Sequence, residues 1–71
     1  MTYNGLINLL TLNSPRPIDT IEVFNMLGQR IIGVDSQNTI QNIDMSNVQS
    51  GAYIVMVSIG DQTKAIRVIK Q

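Results

Sequence analysis

The chain has 71 residues with no cysteine and no histidine, and five basic and five acidic side chains give it a formal net charge of zero. These absences exclude a disulfide framework and a thiolate metal site, and they remove the commonest general base and a strong nucleophile. A net charge of zero also argues against a nucleic-acid partner, because binding to phosphates needs a basic surface. The chain has no run of about 18 apolar residues, so the sequence predicts no membrane-spanning helix.

Apolar and polar residues alternate along most of the chain, a period typical of β-strands. In chain order the predicted strands are residues 6–12, 21–27, 29–34, 39–45, 52–59 and 65–69. Helices are disfavoured because β-branched residues crowd these runs and none reaches helix length with caps. The run 52–59 is apolar on both faces. We therefore expect it to be buried on both sides, or covered by a second sheet on one side and by a partner on the other.

The segments between the runs contain turn residues. Residues 13–17 hold two prolines, which lack the N–H that a β-ladder needs, and predict a loop. Gly28 separates two apolar runs and predicts a tight hairpin with a positive φ. Residues 35–38 and 60–63 are predicted to be polar hairpin loops. Six short strands at spacings of about ten residues predict one all-β domain, either a β-sandwich or an open Greek-key sheet.

The segment 43–51, which leads into the most apolar strand, is predicted to be a cross-over turn. Asp44 and Ser46 can bond nearby backbone amides. Gly51 permits a backbone geometry that is closed to residues with a Cβ atom. Tyr53 can lay its ring on the core and send its hydroxyl to a loop carbonyl. We assign these residues, together with Gly28, to the fold rather than to a partner, because turns and core packing explain their types.

The order of these motifs resembles a known family. The segments IEVFNMLGQRI, from residue 21, and IDMSNVQSGAYIVMVSIGDQTKAIRVIK, from residue 43, are similar to the type A C-terminal sorting domain of the type IX secretion system. Members have a Gly-Gln or Gly-Lys hairpin, an Ile-Asp-Leu-Ser turn, a Gly-Val-Tyr strand and a last strand with lysine. Met45 and Ala52 depart mildly from that pattern. Members usually begin with Pro-Asn-Pro, so residues 1–71 are interpreted as a single sorting domain, excised without that segment.

The resemblance implies a fold and a function. Its fold would be a small immunoglobulin-like antiparallel β-sandwich of about six to seven strands. The domain would be a secretion signal on a protein that the Sec route takes to the periplasm and that the type IX apparatus moves across the outer membrane. A sortase-like cysteine protease often removes such a domain and joins the cargo to an anionic lipopolysaccharide at the cell surface. On this interpretation the domain is neither an enzyme nor a cofactor-binding protein.

Three basic residues match the basic C-terminal stretch of that family: Lys64, Arg67 and Lys70. One hypothesis is that they contact the secretion machinery. The alternative is that they are solvated charges that protect an edge strand from aggregation. If an absent N-terminal strand leaves an edge open, pairing of that edge would give a homodimer.

Other function classes share some of these features. An immunoglobulin- or fibronectin-like structural or adhesive module would show the same strand pattern, so the fold does not separate it from a sorting signal. A carbohydrate-binding module would expose several aromatic residues, and the chain has only Tyr3, Phe24 and Tyr53. Its aspartates fall in separate turns and do not form the clustered oxygen ligands of a calcium loop, so no metal site is predicted.

Overall fold

The computed structural model of the chain describes residues 2–5 and 9–70. Within them, five strands form one antiparallel sheet: β1 (Thr2–Asn4), β2 (Leu9–Asn25), β3 (Arg30–Asp44), β4 (Gly51–Ile59) and β5 (Gln62–Lys70). The all-β, antiparallel class that the sequence predicted is confirmed. No described segment is a helix long and apolar enough to cross a membrane.

Strands β2 and β3 are long, and each takes part in two stretches of pairing. The sheet runs β1-β2-β4-β5, and β3 pairs with β2 off this path. Residues 9–13 of β2 pair with residues 40–44 of β3, and residues 20–24 pair with residues 30–35. The second half of β2 also pairs with β4. The strand predicted to be central, β4, therefore lies between β2 and β5, as expected from its two apolar faces.

Two of the predicted loops are wrong because the backbone stays extended through them. Residues 13–17 lie inside β2, although its pairing with β3 is interrupted between Asn13 and Ile18, where the two prolines have no N–H to donate. Residues 35–38 lie inside β3, where Gln37 has a positive φ of 86°. An irregularity of this kind is a β-bulge, which bends a strand without ending it. The predicted sandwich of six to seven strands is not confirmed.

The two hairpins that join neighbouring strands agree with the sequence. Residues 26–29 connect β2 to β3, and the N–H of Gly28 donates to the carbonyl oxygen of Asn25 at 3.0 Å. Gly28 has a φ of +83°, the positive value that a tight hairpin required. Gly60 and Asp61 form a two-residue loop between β4 and β5, since Ile59 pairs directly with Gln62.

One buried apolar cluster holds the sheet together. It collects residues from both halves of β2, from the end of β3, and from β4 and β5: Leu10, Leu12, Ile18, Ile21, Val23, Ile43, Met45, Tyr53, Val55, Val57 and Val68. Burial of these side chains is the main stabilising term available to the domain. Because the cluster includes both ends of β2, the two stretches of pairing share one core.

Candidate functional site

The turn between β3 and β4 has its own local hydrogen bonds. The backbone N–H of Ser46 donates to Oδ1 of Asp44 at 2.9 Å, which is the Asx-type turn expected from this pair. The N–H of Val48 donates to the carbonyl oxygen of Met45 at 3.2 Å. Met45 is fully buried, so the turn is also fastened to the core. We call residues 44–51 the anchored turn.

Two side chains from neighbouring strands donate to the carbonyl oxygens of the anchored turn. The hydroxyl of Tyr53, on β4, donates to the carbonyl oxygen of Gln49. The ammonium of Lys70, on β5, donates to the carbonyl oxygen of Ser46 at 3.4 Å and to that of Val48. Because strand residues two apart share a face and Tyr53 pairs with Val68, both donors point to the same side of the sheet.

The position of Lys70 is unusual for a lysine, because only 8% of its surface is exposed. A buried ammonium is costly unless its protons are hydrogen-bonded, and here two carbonyl oxygens accept them. The nearby carboxyl of Asp44 has a lowered pKa, mainly because Ser46 hydrogen-bonds to it. The positive charge of Lys70 adds to that lowering.

Gly51 ends the anchored turn and begins β4. Its φ is +151°, a conformation that residues with a Cβ atom rarely adopt. A Cβ atom added there would meet nothing within 4 Å, so backbone geometry and not crowding makes glycine suitable. Of the turn residues that the sequence singled out, Asp44, Ser46 and Gly51 therefore lie in the anchored turn next to Tyr53, whereas Gly28 lies in the β2–β3 hairpin.

The three basic residues of β5 are not brought together. Lys64 and Arg67 are exposed, and Lys70 is buried against the anchored turn. Lys64 pairs with the core residue Val57, whereas Arg67 pairs with Ile54. Residues an odd number apart point to opposite faces of a strand, so Lys64 and Arg67 lie on opposite faces. Their role in recognition remains a prediction.

The side of the sheet opposite the core is largely apolar where β2, β4 and β5 lie side by side. The register places Phe24, Ile54 and Arg67 in one row across these strands, and Glu22, Met56 and Ala65 in the next. Ile69 pairs with Ala52 in the row beyond. We call this surface the outer face: Phe24, Ala52, Ile54, Met56, Ala65, Arg67 and Ile69. In the sequence, this surface was indicated by the predicted strand 52–59, which is apolar on both faces. Residue types alone did not show which neighbouring strands would contribute to the surface.

An ion pair borders the outer face on the side of β3. Nη1 of Arg30 lies 3.3 Å from Oε2 of Glu22. The guanidinium passes over Gly33, where an added Cβ atom would lie 3.6 Å from Nη1. An added Cβ atom would thus make an ordinary van der Waals contact with the arginine side chain. Since Gly33 pairs with Glu22, the ion pair is on the same side as the outer face.

No group of three or more acidic, histidine or cysteine side chains that could hold a metal ion occurs among the described residues. A cleft of about 380 Å³ lies between the anchored turn and the β2–β3 hairpin, and Asp44 is its one charged lining residue. Its lining supplies a single carboxylate.

Residues 4–71 match the model of one protein family, described as the secretion system C-terminal sorting domain. Searches of curated proteins and of solved structures found no match. The family match covers the anchored turn, the outer face and every described residue of β5.

Proposed function

The chain belongs to the family of type IX secretion system C-terminal sorting domains, and on that premise we propose that it directs a cargo protein across the outer membrane through the type IX apparatus. Membership implies a secreted protein that is exported by way of the periplasm and interacts with this system. The observation that carries the proposal is the family match over residues 4–71. In cells that attach cargo to their surface, a sortase-like protease would then remove the domain.

In this proposal the apparatus recognises the folded domain. Lys64 and Arg67 are the exposed basic residues available for the contact. Lys70 contributes indirectly, because its ammonium holds β5 against the anchored turn. Since Lys64 and Arg67 lie on opposite faces, a single flat partner surface would contact only one of them.

We also propose that the sheet folds over as the immunoglobulin-like sandwich of its family. The support is that one buried cluster contains residues from both halves of β2, including Leu10 and Val23. The long strands would then pass from one layer to the other at the irregular segments around residues 13–18 and 35–38. A measured structure with no contact between Leu10 and the residues of β4 would contradict this layering.

A homodimer through an open strand edge is a further part of the proposal. Among the described strands β5 pairs only with β4, which leaves its second edge with unpaired backbone groups. Light scattering over a wide range of protein concentration tests this directly. A single monomeric species throughout would exclude the dimer.

The sorting function is tested by fusing residues 1–71 to a fluorescent protein that the Sec route delivers to the periplasm. The host has a type IX system, and the matched control is the same host with that system deleted. We expect fluorescence outside the cells of the first strain and only in the periplasm of the second. Retention in both strains would refute the proposed sorting function, provided that the sorting domain of one of the host's own exported proteins exports the same reporter.

A further inference from the structure

The outer face combines apolar side chains with the most exposed isoleucine of β5. Ile69 is 57% exposed, and Phe24, Ile54 and Met56 are half-buried and lie outside the core cluster. A single exposed isoleucine is common on a protein surface. Here the register places Ile69 next to other apolar side chains, in adjacent rows across three strands. Contiguous apolar surface of this kind marks interaction sites.

The β2–β3 hairpin lies at one end of this surface and carries two further exposed apolar residues. Met26 and Leu27 directly follow β2 and are 62% and 85% exposed. They lie at the end of the sheet where Asn25 pairs with Tyr53, next to the row of Ala52 and Ile69. Apolar residues at a hairpin tip do not stabilise the domain itself, because water still covers them.

The charged side chains at the outer face differ in whether they form an ion pair. Glu22 is neutralised by Arg30 at 3.3 Å, whereas Arg67 makes no ion pair within the described part of the chain. Arg67 stands in a row with Phe24 and Ile54. A partner that covered this row would bury the guanidinium, and a buried guanidinium needs a carboxylate opposite it.

We infer that the outer face is the surface by which the secretion apparatus binds this domain, and that its partner presents an apolar surface with an aspartate or glutamate facing Arg67. The inference rests on the proposed sorting function and names the chemistry of the partner. The two apolar faces of β4 then have separate uses. One face forms the core, and the other is covered when the domain is bound.

The apolar part of the inference is tested by Ile69→Glu in the fluorescent fusion. Its matched control is Ile40→Glu, because Ile40 is 59% exposed and lies at the other end of the sheet, on β3. We expect the first substitution to reduce export at least about tenfold, as for an interface residue that contributes strongly to binding, and the second to leave it unchanged. Ile69→Val should retain export. Thermal unfolding of each variant shows that the fold is kept.

The charge is tested by Arg67→Glu against Arg16→Glu, which reverses the charge of an exposed arginine on β2 that lies outside the outer face. Export should fall at least about tenfold only for the first, and Arg67→Lys should restore part of it. Normal export of both Ile69→Glu and Arg67→Glu, while the unaltered fusion is exported, would overturn the inference and leave the sorting function intact. Failure of the unaltered fusion would instead refute the sorting function.

Two other occupants of the outer face would also overturn the inference. If the native domain dimerises, and Ile69→Glu makes it monomeric without reducing export, the face binds a second copy. If the substitution lowers the unfolding temperature only when the domain is joined to its natural cargo, the face packs against that cargo.

Discussion

At the scale of single residues, Lys70 has a different role from the lysine six positions before it. Lys70 is buried and donates to two carbonyl oxygens of the anchored turn, whereas Lys64 is exposed. The sequence showed both as members of a basic stretch. Residue type could not distinguish them, because the difference depends on how the turn and the last strand meet in space.

Lys70→Met should therefore destabilise the domain. The methionine keeps most of the aliphatic stem but leaves the carbonyl oxygens of Ser46 and Val48 without their donor, a loss of about 1–3 kcal/mol in the free energy of unfolding. Chemical denaturation measures this difference. The control is Lys64→Met, for which we expect a change within about 0.5 kcal/mol. Equal losses in the two variants would show that Lys70 does not anchor the turn.

Asp44 gives the domain a predicted dependence on pH. Its folded-state pKa lies below the ordinary value of 3.8, first because of Ser46 and then because of Lys70. A lowered folded-state pKa means that the ionised carboxylate stabilises the fold above about pH 4, and that this contribution is lost as the pH falls through the folded-state value. Asp44→Asn should be less stable than the native chain at neutral pH.

The difference in stability between the native chain and Asp44→Asn should disappear at low pH. Thermal unfolding of both at about pH 7 and about pH 2.5 tests the sign of the shift. An equal or wider gap at low pH would mean that Asp44 contributes through something other than its charge.

At the scale of elements, the alternation of apolar residues was enough to locate β4 and the second half of β2. It failed where two predicted strands joined into one. Pro15 and Pro17 break hydrogen-bond pairing, but their fixed φ is compatible with an extended chain, so the backbone continues as β2. Gln37 likewise takes a positive φ within β3. Local sequence indicates where pairing is interrupted, whereas only the pairing partners decide whether a strand ends there.

A side chain from the bent part of β2 holds the β4–β5 hairpin. Oδ2 of Asp19 accepts the N–H of Gly60 at 2.7 Å, across 41 residues of sequence. Asp19→Ala should cost roughly 1 kcal/mol and speed amide hydrogen exchange at Gly60. The control is Asp61→Ala in the same loop, which should leave that exchange rate unchanged. Unaltered exchange in both variants would argue that the contact does not persist in solution.

At the scale of the whole molecule, we expect the domain to have a small free energy of unfolding. A chain of this size buries roughly 60% of the surface that its unfolded form exposes. Among the described residues the core cluster includes Val68, and the anchored turn uses Lys70, both on the edge strand β5. The last strand is therefore part of the folding unit even though it lies at the edge of the sheet.

Deletion of residues 62–71 should abolish cooperative folding. The shortened chain loses Val68 and Lys70 and exposes the backbone groups of β4 that pair with β5. Circular dichroism and thermal scans should show no unfolding transition, whereas a full-length chain with Thr63→Ser and Ala65→Ser, both at exposed sites, should retain one. A cooperative transition in the shortened chain would contradict this view of β5. Loss of export by such a truncation would accordingly report unfolding and not the loss of a contact.

The double pairing of β2 also has a consequence for synthesis. The first partner, β3, follows β2 after a short hairpin, but β4 begins only at Gly51. A ribosome thus releases residues 20–25 well before the strand that will cover their second edge. During that interval the nascent chain presents an unpaired apolar edge that is open to pairing with another chain.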